Sequence, residues 1–155
     1  MEITYRSIGV IRTPYTRMED TPIQGCFAPR GCGRIELFPE YTAGLQNIAG
    51  FSHLILLYHF HQAHGFRLLT KPFLDKEEKG IFSIRHFARP NSIGFSVVKL
   101  LKVDGNVLEI GELDMLDGTP LLDIKPYVPQ FDIKEDVKDG WYSQASERAK
   151  FPLKE

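Results

Sequence analysis

Cysteine, tryptophan and methionine are scarce in this 155-residue chain, at two, one and three residues, and further absences narrow its class. Cys26 and Cys32, with five residues between them, are too few to staple a small secreted fold, and a structural zinc site wants four ligands at tighter spacing. Both read as free thiols, and no metal is expected. Long apolar runs are missing too. A membrane-spanning helix needs about 20 predominantly apolar residues, whereas the longest stretch, Leu54 to Tyr58, has the length of a buried strand. The opening Met1-Glu2-Ile3-Thr4-Tyr5-Arg6 lacks the basic head and apolar centre of a secretory signal, so the expected location is the cytoplasm. Neither sign of charge is in excess. The net charge of −1 argues against a uniform nucleic-acid-binding coat but leaves room for a local basic patch. Also absent are Gly-x-Gly-x-x-Gly after a strand, Gly-x-x-x-x-Gly-Lys-Ser/Thr and a Gly-x-Ser-x-Gly elbow, so a nucleotide-like ligand must be held without the usual helix-opening phosphate loop.

What is present reads as β structure. Gly and Pro recur at short intervals, and the segments between them are rich in Val, Ile, Phe and Tyr. Strands are expected at Thr4 to Ile11, Gly33 to Leu37, His53 to Phe60, Gly80 to Phe87, Ser96 to Asp104, Val107 to Leu113 and Leu121 to Ile124. One short helix is expected at Glu40 to Ile48, where Leu45 and Ile48 share a face. Because strands follow one another without helical crossovers of about a dozen residues, a mainly antiparallel sheet or barrel is favoured over a doubly wound parallel one. Asp104-Gly105-Asn106 between two apolar runs is a hairpin signal. The fold class is therefore mainly β, a mostly antiparallel sheet or barrel with one or two short helices and long loops. The long segment Arg12 to Gly33 is of the kind that is usually functional or disordered. One domain is expected over residues 1–130, followed by a charged tail, 131–155, that packs on the domain or on a dimer partner through Trp141 and Tyr142.

Polar residues gather in three places. Between Leu113 and Tyr127, Asp114, Asp117 and Asp123 stand among apolar residues, and burying a charge costs several kcal/mol unless it is paired or hydrogen-bonded. Asp117-Gly118-Thr119-Pro120 is ordinary turn chemistry, whereas Asp123-Ile124-Lys125-Pro126 is not explained by a turn. Arg85 and Arg89, four residues apart and followed by Pro90-Asn91-Ser92, make a fork able to grip a carboxylate or phosphate, or else a solvated turn. His61 and His64 follow an apolar strand, but two histidines without a third ligand are weak evidence for a metal. Glu112 and Asp114, alternating along a strand, would share one face.

Four separated motifs carry a resemblance. Ile8-Gly9-Val10-Ile11-Arg12-Thr13-Pro14-Tyr15, Gly50-Phe51-Ser52-His53-Leu54, Arg89-Pro90-Asn91-Ser92-Ile93-Gly94 and the run from Leu113 to Tyr127 occur in the order found in the TrmO family, also called TsaA-like or YaeB-like. The resemblance spans residues 3 to about 130. It narrows the fold to a small, mostly antiparallel β-barrel and implies an enzyme, a homodimer with S-adenosylmethionine bound near the interface, that methylates N6 of threonylcarbamoyladenosine beside the tRNA anticodon. Carried over position by position, it puts cofactor contacts on Pro22, Ile23, Gln24, His61, Gln62, Arg85, Phe95, Gly111, Glu112, Leu113 and Asp114. Such residue types suit a ligand with a cation, a carboxylate, ribose hydroxyls and a flat base. Contacts to the tRNA are expected from Arg89, Asn91, Lys125 and Tyr127, and a general base at Asp117 or Asp123. A tRNA substrate further requires Arg12, Arg17, Arg30, Arg34, Arg85 and Arg89 to gather on one face of the dimer. The alternative is a barrel that binds S-adenosylmethionine or a nucleotide as a sensor or acts on a different methyl acceptor.

Overall fold

The computed structural model describes residues 1–27 and 31–149. Six strands close an antiparallel barrel in the order β1 (Gly9–Arg12), β2 (Cys32–Leu37), β7 (Val107–Gly111), β6 (Ile93–Asp104), β3 (His53–His59) and β8 (Thr119–Pro126), which pairs back to β1. A two-stranded ribbon, β4 (Leu69–Thr70) with β5 (Lys79–Gly80), stands apart. Two helices, α1 (Pro129–Asp132) and α2 (Trp141–Ala149), follow the barrel.

Alternation with period two drives the closure. Leu54, Leu56 and Tyr58 of β3 are buried while Ile55 and Leu57 between them are half-buried, and β6 continues the pattern with Gly94, Ser96 and Val98. These meet Ile11, Ile35, Leu37, Leu108, Ile110, Leu113, Met115 and Leu121 in one apolar core. β6 is long enough to serve two neighbours. Its first half pairs with β3 from Ile93 to Lys99 and its second half with β7 from Lys99 to Asp104, and an irregularity between Leu100 and Lys102 turns the corner. β8 does the same for β1 and β3, with its own irregularity at Leu57/Tyr58. The turn at Gly105-Asn106 joins β6 to β7 as the Asp-Gly-Asn signal suggests, with Gly105 at φ 58°.

Three local expectations are corrected. Thr4 to Ser7 are not strand, because the ladder of β1 begins at Gly9, opposite Leu37 and Leu121, and beyond Ile8 no neighbour continues it. Gly80 to Phe87 is not a strand either. Ile81–Ser83 is a 3-10 turn, and Ile81 and Ile84, three residues apart, are the buried pair. The segment Glu40 to Ile48 forms a 3-10 turn over Pro39–Leu45 and a second over Ile48–Gly50, broken by Asn47 in the left-handed region at φ 68°. Tyr41, Leu45 and Ile48 still pack against the core. Trp141 Nε1 donates to the Ser83 carbonyl at 2.9 Å, and Ala145 is buried, so α2 lies against the 81–83 turn. Among the described residues no helix is long and apolar enough to cross a membrane.

Candidate active site

At the barrel end where β3 leaves and β6 enters, a cavity of about 710 Å³ opens. Its walls come from the end of β3 and the residues after it (Tyr58, Phe60, His61, Gln62), the start of β6 (Gly94, Phe95), the segment Asp114 to Leu116, the loop around Pro22 to Gln24, and the loop from Phe82 to Arg89. Most of these residues are apolar or aromatic, with a few polar groups converging, which is the usual composition of a small-molecule site.

The polar centre is Asp114. Ser96 Oγ donates to its Oδ1 at 2.5 Å and the Gly25 backbone N–H donates to its Oδ2 at 3.1 Å. Tyr58 Oη lies 2.9 Å from Ser96 Oγ. Since the Ser96 proton is committed to the carboxylate, the phenol donates to Ser96, and the three groups form a chain from Tyr58 to Asp114. Burial pushes the Asp114 carboxyl above the usual aspartate range, even though Ser96, Gly25 and the Arg85 charge pull the other way. Burial and the Asp114 charge push the Tyr58 phenol far up as well, so it remains a neutral donor.

Two glycines make this arrangement possible through close approach. A Cβ on Gly25 would stand 1.8 Å from the Glu112 carbonyl oxygen, so only glycine lets the loop bring its N–H to Asp114. A Cβ on Gly94 would meet the Tyr58 ring at 2.1 Å, and the two residues are partners across β3 and β6. Glu112 itself sits at φ 60°, the bend that ends β7 and turns Leu113 into the core and Asp114 toward the cavity.

Arg85 is the cationic counterpart. Its Nη1 donates to Gln24 Oε1 at 3.2 Å, its guanidinium lies 5.5 Å from the Phe95 ring centroid, and Gln24 Nε2 donates to the Ile23 carbonyl at 2.8 Å. His61 is held below the usual histidine range by burial and by His59, against a weaker pull from Asp117, and is neutral at pH 7.

The cavity thus brings together Pro22, Ile23, Gln24, His61, Gln62, Arg85, Phe95 and Asp114 from the expected cofactor set. Gly111, Glu112 and Leu113 are not in its lining and instead form the support behind Asp114. Arg89 lines the cavity, yet its Nη1 is committed to the carbonyls of Ile84, Ile81 and His86 at 2.7, 3.2 and 3.4 Å, so it braces the 81–86 loop. Asn91, Lys125 and Tyr127 lie elsewhere. Asn91 is exposed, Lys125 pairs with Asp123 at 2.8 Å, and Tyr127 meets His53 edge-on with ring centroids 6.3 Å apart.

Asp117 and Asp123, expected as general bases, stand outside the lining of this cavity. Asp117 Oδ1 accepts from the Thr13 N–H at 3.0 Å, and its own N–H donates to the Tyr15 carbonyl at 2.7 Å, as a turn residue does. Of the arginines expected at a tRNA-binding face, Arg85 and Arg89 line the cavity. Arg12 and Arg34 converge on Glu36, and Arg17 pairs with Glu19 and Asp20, while Arg30 lies outside the described residues. Cys26 and Cys32 are free thiols, and among the described residues no three His, Cys, Asp or Glu side chains could hold a metal.

Tyr58, Ser96 and Gly25 escaped sequence reasoning. Their signal was faint: Tyr58 and Ser96 are the polar members of otherwise apolar inward-facing series in β3 and β6.

Residues 10–133 match the family described as the tRNA-methyltransferase O N-terminal domain. A probable S-adenosyl-L-methionine-binding protein of Pyrococcus abyssi is 52% identical over 139 residues, covering 90% of this chain and 76% of the relative. A tRNA (adenine(37)-N6)-methyltransferase of Escherichia coli is 35% identical over 159 residues, covering 96% of this chain and 67% of the relative. A crystal structure of TrmO superposes with a TM-score of 0.78 at 38% identity, covering 90% of this chain, and one from Pseudomonas aeruginosa gives 0.75 at 36%. The chain spans 64% and 62% of those two solved chains. With the family match covering most of its length and the same barrel in its relatives, this chain belongs to the TrmO family.

Proposed function

We infer that the cavity binds S-adenosylmethionine and that the protein is a tRNA methyltransferase acting on N6 of an adenine, in its finer form the threonylcarbamoyl-modified adenine beside the anticodon. The observation that carries this is the enclosed Asp114 carboxyl, held by Ser96 and Gly25 in an apolar-walled cavity that also presents Arg85. A ligand with a positive charge, a carboxylate and a flat base is complementary to such a site. Asp114 would face the positive groups, Arg85 with Gln24 the carboxylate, and Phe95 and Phe60 the apolar walls. The names of the relatives support the same cofactor, and the Escherichia coli relative supports the tRNA adenine as acceptor.

When bound, S-adenosylmethionine supplies an electrophilic methyl group; N6 gains its carbon, sulfur keeps the C–S electron pair, and one proton leaves N6. The protein's part is positioning and exclusion of water. A threonylcarbamoyl group on N6 makes that proton more acidic, which reduces the demand for a dedicated base. This fits a cavity whose one enclosed carboxyl already accepts two hydrogen bonds. We also propose that the tail from residue 131, of which 150–155 lie outside the described residues, packs on the barrel or on the dimer partner, and that the homodimer is the working assembly.

The deciding experiment is calorimetric titration with S-adenosylmethionine, followed by methylation of tRNA with and without the threonylcarbamoyl group. Methylation confined to the modified tRNA is the expected result. Cofactor binding without methylation of either tRNA would favour the sensor reading, and no cofactor binding would overturn both.

A further inference from the structure

A second cavity of about 360 Å³ adjoins the first and shares with it Ile23, Gln24, Phe73, Ile84, Arg85 and His86. Only the second is lined by Trp141 and Tyr142 at the start of α2. The Trp141 indole is fixed. Its Nε1 donates to the Ser83 carbonyl at 2.9 Å, the Lys79 ammonium lies 5.8 Å from the ring centroid, and the Tyr142 ring stacks on it at 4.0 Å and 26°. Lys79 is itself anchored by Asp75 and Glu77 at 3.3 and 3.1 Å. A second aromatic pair lines the same chamber, Phe73 stacked on His86 with centroids 5.4 Å apart and rings 25° from parallel.

Ordered flat rings suit a flat guest. The polar groups available to its edge are mostly donors. Besides Arg85 and the Gln24 amide there is His86, whose Nδ1 accepts the Ala88 N–H at 3.1 Å, leaving the proton of the neutral ring on Nε2. Among the described residues the lining contains no carboxylate, so an attached phosphate meets no acidic lining group there.

We propose that this second chamber receives the adenine ring of the methyl acceptor, an unstacked purine nucleotide of a single-stranded RNA loop, stacked on Trp141 and Tyr142. Arg85 and Gln24 line both spaces, so the acceptor would meet the methyl donor along that shared side, and the tail contributes to the substrate site rather than only covering the barrel. This rests on the reading of the first cavity as the donor's site.

Trp141 is the only tryptophan in the chain, so its emission reports on the chamber directly. The test titrates adenosine into the full chain with S-adenosylhomocysteine saturating the first cavity, following emission and, in parallel, heat. Saturable quenching is expected. Trp141→Leu, read by calorimetry, and Tyr142→Ala, read by both signals, should each raise the adenosine Kd at least about fivefold, the loss of one stacking partner. The S-adenosylhomocysteine Kd should stay within about twofold, since neither residue lines the first cavity. Absence of saturable quenching, an unchanged adenosine Kd in both variants, or complete competition by S-adenosylhomocysteine would overturn the proposal. Failure of the wild-type chain to bind S-adenosylhomocysteine would instead count against the first cavity's reading, and the two variants would still decide the chamber.

Discussion

Replacing Asp114 by Asn separates stability from function at one atom pair. The side chain keeps its size and one acceptor oxygen for the Gly25 N–H, while the amide opposite Ser96 donates where the carboxylate accepted, and the Ser96 hydroxyl can rotate to receive it. Because burial holds the carboxyl above the usual aspartate range, the folded protein takes up this proton more readily than the unfolded chain. Stability from this group is therefore fully present below the unfolded aspartate value and falls as pH rises through the folded one. At pH 7 the wild-type chain carries that deficit. Asp114→Asn removes it and exchanges a charge-assisted bond of roughly 1.5–3 kcal/mol for a neutral one of roughly 0.5–1.5 kcal/mol, so the net change in stability stays within about 1 kcal/mol. Cofactor affinity should behave differently. Losing the charge facing a positive ligand costs about 1.5 kcal/mol, roughly tenfold in Kd. The assay pairs urea denaturation at about pH 3.5, below the unfolded aspartate value of about 3.9, and at about pH 8 with calorimetric titration of S-adenosylmethionine. Wild type should lose stability between the two pH values more than the variant does, and the variant should bind about tenfold more weakly. A variant that binds as tightly as wild type would refute the placement of the cofactor's positive charge at Asp114. A drop in stability of several kcal/mol would refute the picture of a penalised carboxylate.

Gly25→Ala forces the loop away from the Glu112 carbonyl, 1.8 Å from the added carbon; a loss of about 1–3 kcal/mol and weaker cofactor binding should appear together in denaturation and titration. Leu56→Ala, in the fully buried interior of β3, should cost about 2–5 kcal/mol by urea denaturation without moving the cofactor Kd of the folded fraction. Arg89→Ala frees the carbonyls of Ile81, Ile84 and His86, and faster proteolytic cleavage within residues 81–89 is the expected signature. The Asp117→Asn, Asp123→Asn double variant should keep tRNA turnover within about twofold, since neither residue lines the cavity; a loss of turnover with cofactor binding intact would restore one of them as a base.

How much of this was legible beforehand depended on the range of the interactions. Period-two alternation in Leu54-Leu56-Tyr58 and Leu108-Ile110, together with the Gly105-Asn106 turn, identified strands and a hairpin because those patterns are local. The segment Gly80 to Phe87 misled because Ile81 and Ile84 follow a turn's period in an otherwise strand-like composition. Asp117 and Asp114 looked alike in the sequence as carboxylates in an apolar setting. One accepts a backbone N–H in a turn at the start of β8, and the other is enclosed by Ser96 and Gly25.

The sequence alone determined the antiparallel β class and, through separated motifs, the family and with it the barrel, because both are written in patterns that survive without knowing which segments touch. Only the tertiary structure decided which polar residues act together. Asp114 meets Gly25 across 89 residues and Ser96 across 18, and Tyr58 meets Ser96 across 38. Such contacts depend on barrel closure, strand register and two glycines that admit close approach. Sequence spacing carries no record of them. The same holds for Trp141, which joins the site only because α2 returns to the 81–83 turn and its indole finds the Ser83 carbonyl.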